Sequence, residues 1–139
     1  MDTFLSLKRL RNGTWQAFER VIARYLEHGG FQGVDVVGGP GDKGADIVGS
    51  FRGRRWIIQA KYSQRDQVGS QAVKQVFEAQ WDYDADVMVA ATNQRFADSA
   101  RRLRDQKKKD GFDIWTWERS FLINEGDRLP LRSAAHREL

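Results

Sequence analysis

Along the first part of the chain apolar residues recur at helical spacing, and the pattern then switches to alternation. Trp15, Phe18, Ile22, Tyr25 and Leu26 follow a polar stretch at 12–14 and stop at Gly29-Gly30. This predicts an amphipathic helix with a polar cap and a glycine end. Strands are predicted next over 34–37, 45–51 and 55–62, the last two joined at Arg52-Gly53, a pair suited to a tight hairpin turn. Ser70 is placed to cap a second helix that carries Val73, Val76, Phe77 and Trp81. The apolar run 87–91 predicts a strand buried on both faces. A basic helix follows over 96–108, Gly111 ends it, and alternation over 112–117 predicts a last strand. The resulting order, α-β-β-β-α-β-α-β, describes an α/β fold with a central mixed β-sheet flanked by helices. Beyond Trp117 the pattern weakens, so residues 1–124 are expected to form one domain and 125–139 a tail or linker.

Several polar residues interrupt this apolar framework. A two-residue loop at Arg52-Gly53 would pair Phe51 with Arg54 and, counting back along the hairpin, Asp46 with Gln59, about 5 Å apart at Cβ. Because side chains alternate along a strand, Gln59 and Lys61 share one face, while Trp56, Ile58 and Ala60 take the other. In the first helix, at roughly 100° per residue, Glu19 falls about 40° from Trp15 and beside Ile22 and Leu26, on the apolar stripe. A carboxylate in that position is costly unless it is paired or bound to a cation. Pairing to Lys61 or an arginine is one solution. The other joins Glu19 to Asp46 and Gln59 in an all-oxygen set of the kind hard divalent cations prefer, with Lys61 as a nearby positive charge. The glycine-rich run 38–44 lacks the spacing of a phosphate loop and leads into a strand, so it reads as a turn that brings backbone close to Asp46.

Composition narrows the chemistry. The chain has 139 residues, 40% of them hydrophobic and 12% aromatic, enough for one packed core. No apolar run approaches the roughly 18 residues of a membrane span. The absence of cysteine excludes disulfides, thiolate metal sites and a cysteine nucleophile, and two histidines are too few for a multi-histidine metal centre. No secretory leader is read at the start, and a cytoplasmic location without a membrane partner is expected. The net charge of +4 is unevenly spread. From Arg101 to Lys109, Arg101, Arg102, Arg104, Lys107, Lys108 and Lys109 stand against Asp105 alone, and Arg52, Arg54, Arg55 and Lys61 form a second group. A phosphate-contacting patch and a solvated helix face both account for such runs. Ser70, Gln71 and Lys74, which follow the Gln59 strand closely, can touch a phosphate backbone or only cap and solvate their helix.

The succession of a helix with Glu19, the turn-strand GDKGADI with Asp46 and the strand IIQAKY with Gln59 and Lys61 resembles the Mrr-like restriction endonuclease branch of the PD-(D/E)XK nuclease superfamily. The segment VMVAATNQRFADSARRL is similar to that family's strand, threonine-rich turn and helix, and the likeness runs over about residues 15–117. The resemblance implies a restriction-endonuclease-like core with a four-stranded mixed sheet and Mg²⁺-dependent (or Mn²⁺-dependent) endonucleolytic hydrolysis of DNA phosphodiesters, in restriction or DNA processing. Asp46, Glu19, the Gln59 carbonyl oxygen and the Ala60 backbone carbonyl would hold the metal. Asp46, Gln59, Lys61 and Glu19 would be catalytic. Arg52, Arg54, Arg55, Ser70, Gln71, Lys74, Arg101, Arg102 and Arg104 are the expected DNA contacts. Gln59 stands where the superfamily most often has an acid, so the alternative is a catalytically inactive DNA-binding module on the same fold. With the core occupying most of the chain, sequence specificity would come from a further domain or partner, from a homodimer that pairs two sites, or from DNA structure.

Overall fold

The computed structural model describes residues 13–38 and 44–125. Its first helix, α1 (Trp15–His28), starts where the Thr14 hydroxyl accepts a hydrogen bond from the Ala17 amide at 3.1 Å. It ends at Gly29, and the side it buries carries Phe18, Glu19, Ile22, Ala23, Tyr25 and Leu26. After it come β1 (Gln32–Val36), β2 (Ile47–Phe51), β3 (Arg54–Lys61), β4 (Gln67–Val68), α2 (Gln71–Tyr83), β5 (Val87–Thr92), β6 (Arg95–Phe96), α3 (Asp98–Lys109), β7 (Ile114–Trp117) and α4 (Arg119–Glu125). Residues 126–139, nearly all of the expected tail, lie outside the described residues, as do residues 1–12.

The main sheet has five strands in the order β1-β2-β3-β5-β7, one more than the resemblance implies. Pairing is antiparallel from β1 to β3 and parallel from β3 through β5 to β7. The β2–β3 hairpin turns at Arg52 (φ 52°) and Gly53 (φ 77°), both left-handed, as a two-residue turn matched to the strand twist requires. Its register pairs Phe51 with Arg54 and Ile47 with Ile58, as the hairpin count predicts. The ladder stops there: the Asp46 amide donates to the Ile58 carbonyl at 2.8 Å, so Asp46 is not the paired residue that the count makes it.

Two hydrophobic layers cover the sheet. On one side Phe18, Ile22, Tyr25 and Leu26 of α1 and Leu122 of α4 pack on Ile47, Trp56, Ile58, Val87, Val89, Ala91 and Trp117. On the other, Ala72, Val73, Val76 and Ala79 of α2 and Ala100 of α3 pack on Ile57, Met88, Ala90 and Ile114. The alternation along β3 is therefore as expected, with Trp56 and Ile58 facing α1 and Ile57 facing α2. All six residues of β5 are buried, which explains its unbroken apolar run. In the parallel half of the sheet, α2 and α3 are both crossovers on the same side, so their N-termini and the C-terminal ends of β3, β5 and β7 gather at one end of the molecule. No helix among the described residues is long and apolar enough to cross a membrane.

Candidate active site

The Asp46 carboxylate is 8% exposed, and its Oδ2 accepts from the Ala60 amide at 2.8 Å. Strand β3 thus holds the side chain with its own backbone, at the end where Gln59, Ala60 and Lys61 leave the core. Glu19, only 6% exposed, comes from α1 on the opposite layer. The two meet at Gly38: a methyl group there would lie 2.9 Å from Asp46 Oδ1 and 3.4 Å from Glu19 Oε2. Two buried carboxylate oxygens therefore face one small volume, kept open because residue 38 has no side chain. The Val37 and Gly38 amides both donate to the Asp46 carbonyl, at 2.7 and 3.2 Å, which ties the segment just after β1 to the residue just before β2.

Gln59 lies on the α2 side. Its Nε2 donates to Gln75 Oε1 at 3.3 Å, and its own Oε1 is buried with no hydrogen-bonding partner. A buried carbonyl oxygen in that state is expensive unless something outside the chain takes its lone pairs. A hard cation is one such group, and two carboxylates with an amide oxygen have the donor chemistry for Mg²⁺ or Mn²⁺. No group of three or more His, Cys, Asp or Glu suited to a metal occurs among the described residues, so this donor set depends on the neutral amide as its third member. Lys61, paired with Thr92 at the end of the parallel ladder, is exposed.

Beside the site the chain is held by residues that sequence patterns did not single out. Buried Asn93 brackets Ser63, accepting from its amide at 2.8 Å and donating to its carbonyl at 2.9 Å, and Gln94 adds a second donor to that carbonyl. These bonds anchor the segment that leaves β3 just after Lys61. A polar Asn-Gln pair directly after a strand that is apolar up to its last residue, Thr92, was the available signal. The short β4–β6 pair, joining Gln67 to Arg95 and Val68 to Phe96, closes over the same end.

The expected DNA contacts fall in different places. Ser70, Gln71 and Lys74 lie at the start of α2, on the same end as Lys61, and Ser70 occupies the cap position without making a side-chain capping bond. Arg54 and Arg55 lie at the other end of β3, Arg54 about 23 Å from Lys61 along the strand. Arg54 is paired with Asp113 at 3.1 Å, and Arg55 donates to the Tyr83 carbonyl at 3.0 Å. Arg52 lies over the Phe51 ring in the hairpin turn, its guanidinium carbon 5.4 Å from the ring centre. On α3, Arg101 is held by both oxygens of Glu118 at 2.9 Å, and that carboxylate keeps its guanidinium above the ordinary value. Arg104 bonds Asp105 and Thr116, and Arg102 is exposed.

A family model described as restriction endonuclease, of the Mrr catalytic type, matches residues 10–123. The chain belongs to the Mrr-like restriction endonuclease family. Among solved structures, this family member is similar to a protein of unknown function, AF1548, with a TM-score of 0.58 and 19% identity over 87% of this chain. The chain covers 66% of that protein's length, and at this identity the likeness shows the fold alone. The comparison with curated proteins finds no match. This Mrr-like protein thus has a restriction-endonuclease-like fold, with Glu19, Asp46, Gln59 and Lys61 gathered at one end of its sheet.

Proposed function

We propose that this Mrr-like domain is a divalent-cation-dependent endonuclease that hydrolyses DNA phosphodiester bonds. The observation that carries the reading is the convergence of Asp46 Oδ1 and Glu19 Oε2 at Gly38, together with a buried Gln59 carbonyl oxygen that the protein leaves unbonded, on the strand whose Ala60 amide holds Asp46. These three groups, with the Ala60 backbone carbonyl, are the ones to hold Mg²⁺ or Mn²⁺. Bound there, such a cation supplies Lewis acidity toward a phosphate oxygen and lowers the pKa of an attacking water. The chain's own contribution is positional. The Ala60 amide keeps Asp46 turned toward Gly38, and exposed Lys61 reaches the reacting phosphate, where its ammonium orients the water or offsets the charge that builds on phosphorus.

Lys61, Gln71 and Lys74 form the DNA-facing rim at this end, with Ser70 offering a hydroxyl to the backbone. Arg102 and the other basic residues of α3 extend the electrostatic footprint, and Arg52, Arg54 and Arg55 serve duplex that runs on past the far end of the sheet. Specificity is assigned to self-association or to a further domain or partner.

Lys61→Ala separates binding from chemistry. It is expected to lower the cleavage rate by about a hundredfold or more while leaving most of the salt-dependent affinity for DNA, since one of several phosphate contacts is lost. Rates on a supercoiled plasmid, set beside binding isotherms over a salt series, check this. A parent domain that binds DNA with the same salt slope but never cuts, with Mg²⁺ or Mn²⁺ present, would instead favour the inactive binding module. Gly38→Ala tests the carboxylate pair. The added methyl pushes Asp46 aside, and a displacement of that kind is expected to cost on the order of a hundredfold in rate with the fold intact. A melting curve alongside the rate checks both halves.

A further inference from the structure

Gln59 is the neutral member of the donor set, and that gives its orientation a weight a carboxylate would not have. A glutamate turned over presents the same oxygen, whereas a glutamine turned over replaces an acceptor with two N–H donors. One neighbour holds the direction of this amide: Gln75 of α2 accepts from Nε2 at 3.3 Å, which leaves Oε1 as the end without a partner. The same residue also bears on the other side of the site. Gly44, two residues before Asp46, has φ +89°, and a methyl group on it would lie 2.5 Å from the Gln75 carbonyl oxygen. The turn that leads into Asp46 therefore rests directly on the Gln75 backbone, while the Gln75 side chain holds Gln59.

We propose that Gln75 is the positioning residue of the cation site, turning the Gln59 amide so that its oxygen faces the cation and setting its spacing from Asp46. The assignment rests on the metal-site reading above. A residue that only satisfied a buried amide would matter equally whatever the chemistry at position 59. A residue that orients a ligand matters only while that ligand has two unlike ends. Outer partners that orient metal ligands in this way typically control about 10- to 100-fold in affinity.

The test is Mn²⁺ titration of the full chain by calorimetry. Gln75→Leu is expected to weaken Mn²⁺ binding about tenfold without loss of the folded state. Gln75→Glu, whose carboxylate still accepts from Nε2, keeps the parent affinity or tightens it. In a Gln59→Glu background, Gln75→Leu changes affinity by less than about threefold, because the carboxylate has no wrong way round. Equal losses in both backgrounds would make Gln75 a structural residue and overturn the assignment, as would unchanged binding in Gln75→Leu. Asp46→Asn keeps the two claims apart. Mn²⁺ binding that survives it overturns the metal site itself and the role of Gln75 with it, whereas binding lost in Asp46→Asn but indifferent to position 75 overturns only the role of Gln75.

Discussion

Asp46→Asn should leave a folded protein that no longer cuts DNA, with a rate lower by on the order of a thousandfold, about 4 kcal/mol of transition-state stabilisation. Asparagine is the informative replacement because it can keep the bond that shapes this end of β3. Its amide oxygen can still accept from the Ala60 N–H, as Asp46 Oδ2 does at 2.8 Å. What changes is the other end of the side chain: the oxygen facing Gly38 and Glu19 becomes an N–H₂ group, which cannot ligate a cation and carries no charge. Structure and chemistry are thereby separated. A plasmid-nicking rate taken with a thermal melt should show lost turnover at a nearly unchanged midpoint. Cleavage within about tenfold of the parent would mean that Asp46 is not part of the reacting centre.

The second large effect is on stability and concerns Trp56. Its side chain is fully buried in central strand β3, with Phe31 edge-on at 5.1 Å, Phe51 edge-on at 6.5 Å and Trp117 tilted at 6.3 Å. These rings join β2, β3, β7 and the residue that leads into β1 on the face covered by α1. Trp56→Ala removes the largest piece of that layer, and the surrounding strands can close the hole only in part. The expected cost is about 3–5 kcal/mol, a large share of the roughly 5–15 kcal/mol that holds an ordinary domain together. Urea unfolding followed by fluorescence of the remaining tryptophans measures it, and a loss below about 1 kcal/mol would contradict this account of the core. The residue also matters for function at a distance. Strand β3 carries Gln59, Ala60 and Lys61, so a loosened Trp56 layer should lower cleavage through the population of folded protein, and a stabilising osmolyte should recover part of it.

Much of the architecture is legible in the residues because it rests on local periodicity. The three long helices, the hairpin turn and all five strands of the main sheet follow from apolar spacing and from glycine positions. What escapes is short or depends on tertiary approach. Strands β4 and β6 have two residues each, too few for any period to register, and α4 lies in the stretch where the apolar pattern fades. Asp46 leaves the hairpin ladder one residue before simple counting allows, because its amide bonds the Ile58 carbonyl and its carboxylate turns to the Ala60 amide.

The candidate site divides in the same way. Glu19, Asp46 and Gln59 are visible in the sequence as polar residues on apolar faces, a conflict that local rules expose. Gly38 is legible only as part of a glycine-rich run that brings backbone close to Asp46; its place between two carboxylates, and the role of Gln75, are not, since that meeting and an amide partner exist only once the strands, α1 and α2 have come together. The basic residues are legible as charge but not as place. Nothing in a run of arginines says that Arg54 and Arg55 are committed to Asp113 and to the Tyr83 carbonyl at the end of β3 away from Lys61, or that Arg101 is held by Glu118.

The most direct test of the central claim is cleavage of plasmid DNA by the purified chain after its metal has been stripped with a chelator and then restored. No cutting is expected from the stripped protein, with recovery on adding Mg²⁺ or Mn²⁺ in the parent but not in Asp46→Asn. Cutting that persists in excess chelator, or that returns equally in Asp46→Asn, would contradict it.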